Sequence, residues 1–197
     1  TESYVVALED GPRAILKPPA NFNNVYVLAG AAYGDGMQSI PVNTGHRREE
    51  AAYHGYNMLG LTDAVPPTTI REHEGIDCSI QAWSEKHKPV WKSIHEDEDT
   101  KLHKEAAKLY GSIHDAPDNL VQVMLDMVPA DKREAFIEQL SAGTVAAMVF
   151  NHNDQHFNNV LIDHDSWDLK FIDNTASFGT GLEGCKQQAH MEMHNMG

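Results

Sequence analysis

His152-Asn-Asp-Gln-His-Phe-Asn-Asn159 runs into the apolar Val160-Leu-Ile-Asp163; after a turn rich in aspartate, His164 to Asp168, come Leu169-Lys-Phe-Ile172 and Asp173-Asn-Thr-Ala-Ser-Phe178. Two short β-prone runs around a polar turn predict a hairpin. The hairpin fixes the separation of the groups on either side of it, so oxygens of Asp154, Asn159 and Asp173 converge on one point. An aspartate, an asparagine five residues on, an apolar strand and a second aspartate suit phosphoryl transfer to a hydroxyl. The first aspartate, Asp154, orients the hydroxyl and accepts its proton, while Asn159 and Asp173 hold Mg²⁺ against nucleotide phosphates. An isolated Asp-x4-Asn would read as a polar turn, since turns favour aspartate. The flanking strands and the second aspartate separate the two readings.

Working outward, the front of the chain supplies another hairpin. Tyr4-Val-Val-Ala-Leu8 and Arg13-Ala-Ile-Leu-Lys17 flank the turn residues Glu9-Asp-Gly-Pro12. Pro18-Pro19 ends the second run, because proline cannot donate to a ladder. Residues 20–45 read as a long irregular insert. Arg47 to Leu61 predicts a helix with Ala51, Ala52, Met58 and Leu59 on one buried stripe and Gly60 near its end. The extended Val65-Pro-Pro67 leads to a strand pair, Thr68-Thr-Ile-Arg71 with Cys78-Ser-Ile-Gln-Ala-Trp83. Residues 84–99 are charged and read as a surface connector. Helices are expected over 101–114, 119–128 and 131–149, with Ala130-Asp131 capping the third. This order predicts an α+β protein with a β-rich front lobe, residues 1–83, a helical back lobe, residues 84–197, and a ligand groove between them.

The formal charge is −14, from 29 acidic and 15 basic residues. That balance works against nucleic acid and against anionic lipid, both of which need a basic face. A basic partner suits the field better. Two cysteines, Cys78 and Cys185, make no disulfide framework in 197 residues, and free thiols in a reducing compartment are expected. No apolar run reaches the length of a membrane-spanning helix, so a soluble, cytoplasmic protein is expected. The opening Thr1-Glu-Ser-Tyr4 is neither a signal peptide nor an initiator methionine, and a chain trimmed at its front is expected.

His152-x-Asp-x-His-x-x-Asn159 resembles the catalytic loop of the kinase-like superfamily, in the form shared by phosphatidylinositol kinases and aminoglycoside or choline kinases. Ile172-Asp-Asn174 with Phe178 is similar to the Ile-Asp-Asn-Gly-x-x-Phe segment of type II phosphatidylinositol 4-kinases and related atypical protein kinases, with threonine at 175 in place of glycine. Arg48-Glu-Glu-Ala-Ala-Tyr53 resembles the Arg-Glu-x-x-Ala-Tyr pattern of the same kinases, and Leu59-Gly-Leu61 with Val65-Pro-Pro-Thr68 looks like the stretch that follows it. The resemblance spans about residues 3–178 and implies a minimal bilobal kinase-like fold. It implies that Lys17 contacts the α/β-phosphates and that a helix glutamate pairs with it, Glu49 first and Glu50 as fallback. It also implies that Gln81-Ala-Trp83 forms the hinge touching adenine through backbone groups. The chain departs from the family in having no complete glycine-rich phosphate loop, with Ser3-Tyr4 as its end, and in having only 24 residues after Asp173. Small bacterial effector protein kinases, some secreted into a host cell, are similarly minimal.

The leading expectation is an ATP- and Mg²⁺-dependent kinase acting on a protein hydroxyl, with a lipid or small-molecule hydroxyl as the other acceptor classes. A non-catalytic pseudokinase binding module stands as the second class, and adenylyl transfer as a variant of the first. A third class is metal binding, by His152 and His156 or by His190-Met-Glu-Met-His-Asn-Met196. Glu96-Asp-Glu-Asp99 reads as a solvated acidic surface.

Overall fold

Strands gather at the front of the chain and helices follow, an α+β arrangement. The computed structural model describes residues 3–8, 11–19, 44–152 and 154–178. The expectations placed on residues 20–43, on Cys185 and on the His/Met-rich tail lie outside the described residues.

Strands β1 (Tyr4–Ala7) and β2 (Arg13–Lys17) pair antiparallel as the expected hairpin, with Tyr4 opposite Leu16 and Ala7 opposite Arg13. Strands β3 (Thr68–His73) and β4 (Ile76–Ala82) form the second expected pair, and β4 also lies against β2. The result is a four-stranded sheet in the order β1-β2-β4-β3. Ala14 and Leu16 of β2 face inward, as does the side chain of Lys17 at the strand's end.

Helix α1 (Gly45–Met58) crosses this sheet and ends in paired bonds, Gly60 N–H to the Asn57 carbonyl and Leu61 N–H to the Tyr56 carbonyl. Gly60 has φ +78°, the left-handed conformation such a helix stop requires, which only glycine adopts without strain. The expected apolar stripe is corrected. Ala52 is buried, but Ala51 is exposed, Leu59 is half exposed and Met58 is 88% exposed. The helix instead buries Ala52 and Tyr56 beside Arg48 and Glu49. Charged residues occupy the inward face because they have partners there.

The connector reading of residues 84–99 is also corrected. Strand β5 (Lys88–Pro89) and helix α2 (Val90–His95) lie within it, and Val90 and Ile94 are fully buried. Then come α3 (Lys101–Tyr110), capped by the Thr100 hydroxyl, and α4 (Leu120–Met127), capped by the Asn119 side chain. Both caps accept backbone N–H groups that the first helical turn leaves unpaired. Helix α5 (Arg133–Val149) begins after Lys132 with no side-chain cap, so the expected Ala130-Asp131 cap is not used. Among the described residues, no helix is long and apolar enough to cross a membrane.

Strands β6 (Val160–Ile162) and β7 (Leu169–Phe171) make the hairpin on which the site depends, with Val160 opposite Phe171, and β5 completes a three-stranded sheet. Val160, Ile162, Leu169 and Phe171 are buried in an apolar cluster that runs from Tyr56 and Val65 to Phe136, Ala146 and Phe150. The tip of the Phe171 ring lies against Gly143 of α5. A Cβ on Gly143 would stand 1.9 Å from its ring, so no other residue fits there unless the ring or the helix shifts.

Candidate active site

Lys17 ends β2 with its ammonium nitrogen 2.5 Å from Glu49 Oε1 and 3.4 Å from Asp173 Oδ1. Three separate parts of the chain thus meet: the end of β2, the first turns of α1, and the residues just after β7. Glu49 is 1% exposed and Lys17 is 7% exposed; a buried charge persists only when paired. Burial alone would depress the Lys17 ammonium, but the Glu49 and Asp173 carboxylates outweigh it and hold its pKa above the ordinary lysine value. Burial pushes the Glu49 carboxyl up, opposed by Lys17 and by the Asn174 backbone N–H. The fallback residue, Glu50, is engaged elsewhere: its carboxylate accepts the Ile70 N–H and the Thr69 hydroxyl of edge strand β3. Neighbouring glutamates on one helix turn have separate tasks.

Asp173 sits at φ +58° and ψ +50°, a left-handed conformation that aspartate tolerates better than most residues. Burial works against its charge, but Lys17 and a hydrogen bond from the Thr175 hydroxyl to Oδ1 (3.0 Å) hold its pKa below the ordinary value. The carboxylate therefore stays ionised.

His152 joins the two aspartate-bearing segments. It is wholly buried, and burial holds its imidazole below the ordinary histidine pKa. The Asp154 N–H donates to Nδ1 (3.2 Å), so the ring proton lies on Nε2, which donates to the Asp173 carbonyl (3.0 Å). Asn159 Nδ2 donates to the Asp154 carbonyl (2.8 Å), and the Ile172 N–H donates to the Asn159 carbonyl (2.9 Å). The β6–β7 hairpin thereby places Asn159 beside the segment that carries Asp173. The Asp154 side chain is half exposed, with His156 Nε2 3.7 Å from Oδ1. Its surroundings and the nearby Asp173 charge raise its pKa above the ordinary aspartate value, with His156 opposing.

Lys17, Glu49, Asp154, Asn159 and Asp173 are therefore brought into one connected arrangement. The expected adenine contact of Gln81-Ala-Trp83 falls at the end of β4. Gln81 is buried, paired opposite Ile15 and Thr68, and its amide donates to the Thr68 hydroxyl. The Ala82 N–H donates to the Pro67 carbonyl and the Trp83 N–H to the Arg13 carbonyl. The sheet thus takes up the Ala82 and Trp83 N–H groups, and the Arg13 guanidinium lies over the Trp83 ring.

Arg48 and Thr175 are site residues that sequence reasoning did not assign. The Arg48 guanidinium donates to the Ser177 carbonyl and to Thr44 Oγ1; its position immediately before Glu49 was the available signal. Among the described residues, no group of three or more His, Cys, Asp or Glu side chains is arranged to hold a metal ion. The His152–His156 metal reading is set aside on the same geometry, because backbone groups engage both His152 nitrogens.

The donors that remain are oxygens. The Asn159 amide nitrogen is engaged, which leaves Oδ1, and Asp173 is ionised with one oxygen shared between Lys17 and Thr175. Hard oxygen donors fit Mg²⁺, which keeps much of its coordination for water and phosphate. No protein-family model matches the sequence, and a comparison with curated proteins finds no match.

Proposed function

We propose that the chain is an ATP- and Mg²⁺-dependent phosphotransferase with a minimal bilobal, kinase-like fold, acting on a protein hydroxyl. The observation that carries this reading is the buried Lys17 ammonium held between Glu49 and Asp173, in a site shared with Asp154 and Asn159. A lysine fixed this way presents charge to phosphate oxygens with little reorganisation. Asn159 and Asp173 would hold Mg²⁺, which when bound neutralises charge on the phosphates. Asp154 accepts the proton of the acceptor hydroxyl as that oxygen bonds to the γ-phosphorus and ADP departs. Its raised pKa makes it a better proton acceptor than an ordinary aspartate. His152, neutral and buried, keeps the backbones of Asp154 and Asp173 in register.

The acceptor follows from exposure and charge. Asp154 is half exposed, which suits a hydroxyl presented on a macromolecule, and the formal charge of −14 favours a basic one.

The test is intact-mass analysis of the chain and a basic protein acceptor after incubation with Mg²⁺·ATP. Phosphoryl transfer adds about 80 Da per event, whereas adenylyl transfer from the same nucleotide adds about 329 Da. Thermal stabilisation by Mg²⁺·ATP without any mass gain would favour a non-catalytic binding module. No stabilisation at all would overturn the nucleotide reading.

A further inference from the structure

Asp173 is held in a left-handed backbone conformation that is costly for an ordinary residue, and its carbonyl is anchored on one side by His152. The chain then makes a single 3-10 turn, Asn174–Ala176, and reaches Ser177 and Phe178. Phe178 is left-handed as well, with φ +60°. Two strained positions five residues apart stay put only when both ends of the segment are tied.

The far end has two ties. The Phe178 N–H donates to the Phe150 carbonyl at the end of α5 (2.5 Å), and the Arg48 guanidinium donates to the Ser177 carbonyl. Arg48 is 8% exposed and its Nε is fixed by Thr44 Oγ1 at 2.9 Å. A buried guanidinium directed at a carbonyl gives orientation, since a planar fork presents several donors at fixed angles.

Arg48 and Glu49 are consecutive residues of α1, so one helix turn grips two parts of the site. Glu49 takes the ammonium of Lys17, and Arg48 takes the strap that follows Asp173. We infer that Arg48 is a positioning residue that couples the placement of α1 to the orientation of the Asp173 carboxylate. A displacement of α1 that frees Lys17 also loosens the Asp173 segment, so the phosphate-binding and metal-binding halves assemble together. This inference rests on the phosphotransferase reading for its consequence, though not for the coupling itself.

The test compares wild type with Arg48→Gln and Arg48→Lys in two measurements. In the first, ADP is titrated calorimetrically with Mg²⁺ and with EDTA. Loss of a charged hydrogen bond is expected to raise the Mg²⁺ concentration for half-maximal tightening about tenfold in Arg48→Gln. ADP affinity in EDTA should change less than the Mg²⁺ requirement, and Arg48→Lys, which keeps a charged donor, should recover part of the loss. In the second, amide hydrogen exchange is followed over residues 173–178 without nucleotide, and Arg48→Gln is expected to exchange faster there than wild type. Equal exchange and equal Mg²⁺ dependence in all three proteins would overturn the inference. Should wild type bind no Mg²⁺·ADP, the phosphotransferase reading fails and the exchange comparison alone decides the coupling. If Arg48→Gln does not fold, Arg48→Lys carries both measurements, and wild-type behaviour in both would overturn the role of Arg48.

Discussion

Lys17 and Glu49 are 7% and 1% exposed, so neither charge has water available if its partner is removed. Replacing Glu49 with alanine is expected to lower unfolding free energy by about 3 kcal/mol, read by chemical denaturation, because the Lys17 ammonium is then left buried. Asp154 is the opposite case, half exposed and held through its backbone. Asp154→Asn is expected to leave stability within about 0.5 kcal/mol. It should also reduce phosphate transfer by about 100-fold or more, measured as initial rate with saturating Mg²⁺·ATP. That the segments carrying Asp154, Asn159 and Asp173 lie together was legible in the sequence, because local spacing and one hairpin join them. Arg48 was not, since an arginine near a helix start usually faces solvent, and only the tertiary fold brings the Ser177 carbonyl to it. Gln81 and Trp83 were assigned through resemblance; the Gln81 side-chain amide bonds Thr68 and the Trp83 N–H bonds the Arg13 carbonyl.

At the scale of elements, the loop that carries Asp154 and the segment after β7 are joined by a histidine whose bonding depends on its protonation state. His152 accepts on Nδ1 and donates from Nε2, which only the neutral ring can do. Its folded pKa lies below the ordinary 6.5. Above that value neither state binds the proton and stability is unaffected. Below it the unfolded chain takes up a proton that the folded chain resists, so stability falls with falling pH. Melting temperature is therefore expected to drop as pH falls from about 6.5 towards 5, with a shallower drop in His152→Gln. His46, His87 and His95 are depressed as well, so the difference between the two proteins is the informative quantity. The hairpins and strand pairs were readable from alternation and turn residues. Helix α2 was not, because its two buried anchors, Val90 and Ile94, are spaced by one helical turn within a run of charged and polar side chains. The inward face of α1 was misjudged for the converse reason: hydrophobic patterning cannot register a helix that buries Arg48 and Glu49.

Over the whole molecule, the site hangs from a shared core. Phe171, two residues before Asp173, packs on Gly143 of α5, beside Tyr56 of α1 and Phe150. Gly143→Ala forces the ring or the helix to shift and is expected to cost about 1–3 kcal/mol. Denaturation should report that loss, and Mg²⁺·ATP should stabilise the variant less than wild type, because moving β7 moves Asp173. The α+β order was visible in the sequence, whereas the crossing of α5 against β7 depends on one glycine whose necessity appears only in three dimensions.

Phosphoryl transfer at this site requires that Asp154 serve as the proton acceptor. The direct measurement is transfer of labelled γ-phosphate from Mg²⁺·ATP to a basic protein acceptor, by wild type and by a folded Asp154→Ala variant in parallel. Label appearing on the acceptor with wild type and falling to background with the variant is the predicted result. Equal labelling by the two proteins, or label from neither while Mg²⁺·ATP binds both, would contradict it.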